Sequence, residues 1–281
     1  MITTLGGPAM HVGFIGLGSQ GAPMARRIVH SGYETTLWAR RPEARVPFAD
    51  TAAKFAETPA ELGAASDLVC ICVGSDADVL EVVTGNDGVL SGMKPGGIIA
   101  VHSTVHPNTC RELEKIASAR GISVVDAPVS GGGSAAAEGH LLVMVGGTDE
   151  DFERVRPVFS MYANPVVHLG ALGAGQVTKL LNNLLFTANL ATAANTLTLG
   201  ESLGVAPNRL GDVISHGTAN SFALSRIVSA GGTVDRIAQH AGHLLRKDVA
   251  LLADLASAAE APTGVVLDAA DATLALMDLP R

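Results

Sequence analysis

The sequence predicts an α/β domain followed by an all-helical domain, joined by one long helix. Three observations predict this. Short β-like runs alternate with helical patterns from His11 to His168, the arrangement of a largely parallel sheet. A Pro-free stretch rich in Ala, Leu, Asn and Thr then runs from Gly175 to about Leu203, long enough at 1.5 Å per residue to bridge two domains. Beyond it, Pro207, Gly217, Gly231-Gly232 and Pro262 divide a remainder whose apolar residues recur every three or four positions, the helical period. The domains are expected at 1–170 and 171–281, with the linking helix at about 175–203.

In chain order, the strand candidates are Val12–Ile15, Thr35–Trp38, Leu68–Val73, Ile98–His102, Ser123–Asp126, Leu141–Val145 and Val166–His168. The linking helix is apolar around most of its circumference, as expected of a helix buried on several sides. Ile237–Ala256 and Thr263–Met277 are the clearest of the later helices.

Composition narrows the function classes. Of 281 residues, 47% are hydrophobic and 16% charged, enough to bury a large core and too little charge for disorder. A net charge of −8 without a basic run, and only ten Phe, Tyr and Trp together, argue against nucleic acid. Cys70, Cys72 and Cys110 cannot all pair, and Cys70 and Cys72 point to one face of a strand; they read as reduced core residues of a cytoplasmic protein. Met1 to Ala9 carry no positive charge and the next apolar run is short, against a secretory signal or a membrane span. Met10 is a candidate start.

The first chemical signal is Gly16-Leu17-Gly18-Ser19-Gln20-Gly21, directly after the strand Val12–Ile15 and before a helical stretch from Ala22. Glycines in that order let a turn close and a backbone approach a pyrophosphate seated on a helix N-terminus. In a chain with 32 glycines the pattern alone is weak, and the flanking strand and helix supply its context. At the end of the second strand, where an acidic residue would bond a ribose 2′-hydroxyl, stands Trp38-Ala39-Arg40-Arg41. Two guanidiniums suit a 2′-phosphate, so NADP is expected, with NAD possible. The alternative is a solvated basic loop.

The second signal is Asp126-Ala-Pro-Val-Ser130-Gly131-Gly132-Gly133. A hydroxyl beside unobstructed backbone N–H groups can form a nest for a carboxylate; a surface loop is the bland alternative. The third is Gly173-Ala-Gly-Gln-Val-Thr-Lys179-Leu-Leu-Asn-Asn183. Lys179 and Asn183 share one helix face, and Leu180, Leu181, Leu184, Leu185 and Phe186 predict a buried segment, where an ammonium needs a partner or a function. A desolvated lysine can exchange a proton with a hydroxyl or carbonyl oxygen. Lys247-Asp248 reads by itself as a charge pair on a helix surface. His240 and His243 have no third ligand at suggestive spacing, so no metal is expected.

Together these ordered segments resemble the β-hydroxyacid dehydrogenases, the family of 3-hydroxyisobutyrate dehydrogenase and tartronate semialdehyde reductase, across nearly the whole chain. The resemblance implies a Rossmann-type doubly wound domain, a helical second domain and a substrate held between them. It implies Lys179 as the catalytic lysine with Asn183 as its polar neighbour, and Ser130, Gly131 and Gly132 as the grip on a substrate carboxylate. Val73, Gly74 and Thr104 match positions beside the cofactor, and Lys247 a lysine reaching cofactor or substrate. The implied reaction interconverts a small 3-hydroxy acid and its semialdehyde or keto acid. Three positions depart from the pattern: Gln20 replaces a usual Met, Gly74 a usual Pro, and His240 an aromatic wall of the substrate pocket. The long C-terminal extension of 6-phosphogluconate dehydrogenase is not expected. Imine reductases resemble the same architecture but generally lack the lysine, and a catalytically silent cofactor-binding scaffold is a rival of another class. The apolar long helix predicts a homodimer or homotetramer.

Overall fold

The computed structural model describes residues 10–281; the expectation about Met1–Ala9 lies outside the described residues. The chain forms two compact units that divide between Lys179 and Leu180.

The first unit opens with β1 (Val12–Ile15), α1 (Gly21–His30) and β2 (Thr35–Trp38). A 3₁₀ turn (Pro42–Phe48) and the two-residue β3 (Lys54–Phe55) follow, then α2 (Pro59–Ala64), β4 (Leu68–Ile71), α3 (Asp76–Thr84) and the short α4 (Val89–Gly92). β5 (Ile98–Val101), α5 (Pro107–Ser118) and β6 (Ser123–Asp126) complete a parallel sheet in the order β3-β2-β1-β4-β5-β6. Each strand alternates its apolar side chains between two cores, as the period of two requires. Val12, Phe14, Leu68, Cys70, Ile98 and Ala100 enter one; Ile15, Val69, Ile71, Ile99 and Val101 enter the other. Because both faces are covered, the strands read as continuous apolar runs. Cys70 and Cys72 do fall on one side, and all three cysteines are free thiols.

The last expected strands do not extend this sheet. β7 (Val129–Ser130), α6 (Gly132–Glu138), β8 (Leu141–Val145), α7 (Asp149–Phe159) and β9 (Ala163–His168) build a second sheet, ordered β7-β8-β9. There β7 runs antiparallel to β8, and β8 parallel to β9. The core below contains His102, 2% exposed. Its Nδ1 lies 2.6 Å from the Ala127 carbonyl and its Nε2 3.1 Å from the Tyr162 hydroxyl, and its ring meets Phe159 edge-on. Burial pushes the His102 imidazole down to about 4, more than the Ala127 bond raises it, so the ring is neutral at ordinary pH.

The helix α8 (Ala174–Ser202) begins in the first unit and continues into the second, followed by α9 (Pro207–His216), α10 (Phe222–Ser229), α11 (Asp235–Ala258) and α12 (Gly264–Leu276). In the second unit, Leu190, Leu197, Leu224 and Ile227 form one cluster, and Leu184, Val249, Leu252 and Leu274 another. Thr273 ties α12 to α8: its hydroxyl lies 2.9 Å from the Ala191 N–H, which donates to it, and donates to the Thr187 carbonyl. Not every leucine of α8 is buried as its composition predicts. Leu181 and Leu185 are 51% and 55% exposed, because they share a face that the single chain does not cover.

Candidate active site

The strand order reverses between β1 and β4, so the loops leaving these two strands diverge there and open a crevice at their C-terminal ends. Gly16 begins the first loop with φ +97°, and a Cβ on it would lie 2.1 Å from the Cys72 carbonyl, so the crossing of the two loops admits only glycine. Gly18 differs: a Cβ there would meet nothing within 4 Å. Its backbone faces open space from which an anion can approach. Ser19 and Gln20 lead into α1, whose first turn begins at Gly21 and holds no acidic residue. Such a helix start favours negative charge. Gln20 Nε2 is a buried donor without a partner among the described residues. These features fit a dinucleotide pyrophosphate.

A cavity of about 270 Å³ continues from this loop, lined by Gly16, Leu17, Gly18, the Trp38–Arg41 segment, Val73, Gly74 and Asp78. The sequence-predicted residues from three separate strand ends are therefore brought together. Asp78 is the addition. Arg40 Nη2 donates to Asp78 Oδ1 at 2.7 Å and to Glu81 Oε2 at 3.1 Å, two partners that the sequence alone does not indicate. The Ser75 hydroxyl and the Arg40 guanidinium hold the Asp78 carboxyl below its usual range.

A buried polar spine lies behind the crevice. Asp126, at the end of β6 and 0% exposed, accepts the backbone N–H groups of Gly173 and Gln176, both at 2.6 Å. Its carboxylate thus meets donors at the start of α8 that the helix cannot satisfy itself. Gln176, also 0% exposed, donates from Nε2 to the Ser103 carbonyl at 2.8 Å and accepts the Val105 N–H at 3.1 Å. The Ser103 hydroxyl accepts the Val73 N–H at 2.8 Å. The ends of β4, β5 and β6 and the first turn of α8 are thereby one hydrogen-bonded assembly. Thr104 lies inside it in sequence, and Lys179 follows Gln176 one turn along the helix. Desolvation raises the Asp126 carboxyl above its usual range, against the lowering by the Gly173 and Gln176 N–H groups.

Ser130 ends β7, and Gly131 and Gly132 lead into α6 with φ +131° and +77°. The next residue sets their position. A Cβ on Gly133 would lie 2.4 Å from the Ser19 carbonyl, so the glycine-rich turn rests directly on the loop after β1.

Lys179 is half-buried, and Asn183 lies one turn further along α8. Within the second unit, Asn183 Nδ2 donates to Asp248 Oδ2 at 2.6 Å, and Lys247 Nζ lies 3.3 Å from Asp248 Oδ1. Asp248 is 4% exposed, so Lys247-Asp248 is not the surface pair that its sequence suggests; the carboxylate is buried and also holds Asn183. His240 is exposed on α11, with Nδ1 2.7 Å from the Arg236 carbonyl. Among the described residues, no cluster of three or more His, Cys, Asp or Glu could hold a metal, and no helix is long and apolar enough to cross a membrane.

Two family models divide the chain between them. Residues 11–170 match the NAD binding domain of 6-phosphogluconate dehydrogenase, and residues 173–278 the NAD-binding domain of NADP-dependent 3-hydroxyisobutyrate dehydrogenase. An uncharacterized oxidoreductase of Mycobacterium tuberculosis is 42% identical over 73% of this chain and 69% of its own length. The mitochondrial 3-hydroxyisobutyrate dehydrogenase of Bos taurus is 30% identical over 89% of this chain and 77% of its own. A solved Mycobacterium tuberculosis 3-hydroxyisobutyrate dehydrogenase with L-serine superposes with a TM-score of 0.83, at 28% identity over 96% of each chain.

Proposed function

The chain belongs to the β-hydroxyacid dehydrogenase family, and from that premise we propose that it is an NADP-preferring oxidoreductase interconverting a small 3-hydroxy acid and its semialdehyde or keto acid. The observation that carries this reading is the spine from Asp126 through Gln176. It fixes the first turn of α8, and with it the origin of Lys179, against the strand ends that border the dinucleotide crevice.

A nicotinamide dinucleotide held by Gly16 to Gly21 would, when bound, supply hydride chemistry at the carbon that bears the oxygen. The remaining chemistry belongs to the chain. Lys179 takes the proton of the substrate hydroxyl at Nζ during oxidation and returns it to the carbonyl oxygen during reduction. Asn183, one turn away on the same helix, orients that oxygen, and is itself oriented by Asp248. Ser130, Gly131 and Gly132 hold the substrate carboxylate with a hydroxyl and backbone N–H groups. L-serine, named with the solved relative, is itself a 3-hydroxy acid and supports this class. Gly16 to Gly21 hold the pyrophosphate, with Val73, Gly74 and Thr104 beside the cofactor. Arg40 and Arg41 favour the 2′-phosphate. Lys247 is assigned an anionic group of cofactor or substrate, and His240 a place on the substrate wall, where it changes the choice of side group.

The lysine and the dehydrogenase relatives weigh against imine reduction and against a silent scaffold. The exposed Leu181 and Leu185 support a homo-oligomer. The test is NADPH and NADH oxidation with tartronate semialdehyde, succinic semialdehyde and methylmalonate semialdehyde. Turnover of at least one aldehyde acid, faster with NADPH, is expected; no turnover of any, with NADPH bound, would refute the proposed substrate class.

A further inference from the structure

The end of β2 lacks the carboxylate that would oppose a 2′-phosphate, yet the cavity beside it does not lack one. Asp78 lines it as well, two residues past the start of α3, and Glu81 lies one turn further. Both take their bond from the same nitrogen of Arg40, at 2.7 and 3.1 Å. Arg40 Nη1 and Nε make no hydrogen bond among the described residues, so the guanidinium can still reach a phosphate. It would do so with two carboxylates at its back. Arg40 is 62% exposed as a side chain, Glu81 71% and Asp78 27%. Glu81 and Arg40 are both exposed, so their pair adds little by ordering the arginine; Asp78 is the less exposed carboxylate and lines the cavity. Their negative charge remains, and it disfavours a phosphate dianion that enters the cavity beside Arg40.

We propose that Asp78 and Glu81 determine cofactor specificity by opposing the 2′-phosphate across Arg40, so that the chain's NADP preference is narrower than two arginines alone would set. This rests on the reading of the cavity as the adenosine-ribose end of a dinucleotide site. The carboxylate that tempers NADP capture stands in the first turn of α3 and not at the end of β2.

Trp38 is the chain's one tryptophan and lines this cavity, so its fluorescence reports binding without turnover. Titrating wild type, Asp78→Asn, Glu81→Gln and Arg40→Ala with NADPH, NADH and 2′,5′-ADP separates the possibilities. Asp78→Asn is expected to tighten NADPH and 2′,5′-ADP by about three- to tenfold, as loss of a nearby like charge predicts, with NADH changed less than about twofold. Glu81→Gln, on an exposed helix face, is expected to act in the same direction and more weakly, and it guards against misfolding of the first variant. Arg40→Ala is expected to weaken NADPH alone. If NADPH and NADH shift together, or neither shifts in both carboxylate variants, the proposal is overturned while the dinucleotide site stands. If the wild type binds none of the three ligands, the reading of the site falls with it.

Discussion

Replacing Asp126 by alanine should be among the most damaging single changes in the first unit. Asp126 is fully buried and its carboxylate accepts two backbone N–H groups at the start of α8. Alanine strands both donors out of reach of water, at roughly 1–3 kcal/mol each, and removes a negative charge from a helix N-terminus, about 0.3–1 kcal/mol more. The opposing effect is relief of the desolvation that raises the carboxyl. The sign is set by the two N–H donors, which alanine cannot accept and which stay buried, so a loss of about 3–5 kcal/mol is expected for Asp126→Ala. Asp126→Asn keeps one acceptor oxygen and the volume, and should lose only about 1–2 kcal/mol. Denaturant unfolding followed at Trp38 measures both. A loss below about 1 kcal/mol for alanine, or equal losses for both variants, would refute the reasoning that this carboxylate anchors α8.

His102 makes stability depend on pH. Its folded pKa of about 4 lies below the ordinary 6.5, so the stability it contributes is present above about 6.5 and is lost as pH falls toward 4, up to about 3 kcal/mol; unfolding free energies from pH 7 to 4.5 should fall more steeply for wild type than for His102→Gln, and parallel curves would sink the idea. Gly133→Ala drives a Cβ toward the Ser19 carbonyl and should weaken NADPH and NADH alike by about tenfold or more, read by Trp38 titration; unchanged affinity for both would show that the turn and the loop after β1 do not act together. Asp248→Ala leaves Asn183 and Lys247 without their shared carboxylate and should cost about 2–4 kcal/mol in thermal or denaturant unfolding, whereas a change below about 0.5 kcal/mol contradicts a structural role for it. Light scattering should find a homodimer or homotetramer for wild type and a smaller species for Leu181→Glu with Leu185→Glu; a monomeric wild type would end the oligomer proposal.

Local patterns carried most of the architecture. Val12–Ile15 and Thr35–Trp38 were readable because a sheet covered on both faces makes each strand an apolar run, and the later helices because their apolar spacing and their Pro and Gly boundaries agree. The two-residue strands β3 and β7 have no period to detect. Leu141–Val145 and Val166–His168 were readable as strands but not as a separate sheet, since nothing local marks β7 as their antiparallel neighbour. The site divided the same way. Gly16 to Gly21, Ser130 to Gly132 and Lys179 announce themselves by motif. Asp78 lies 38 residues from the arginine it engages, Asp126 47 and 50 from its donors, and Asp248 65 from Asn183. Each is an ordinary carboxylate until the fold supplies its partner, which is why the sequence shows Arg40 without its carboxylates and Lys247-Asp248 as a surface pair.

Proton exchange at Lys179 is the step on which the proposed reaction depends. Steady-state turnover of a reactive aldehyde acid by wild type and Lys179→Ala, beside NADPH affinity from Trp38 titration, tests it most directly. For Lys179→Ala, kcat is expected to fall by about 10²–10⁴ while NADPH affinity stays within about threefold. Turnover within about tenfold of wild type, with the cofactor still bound, would contradict it.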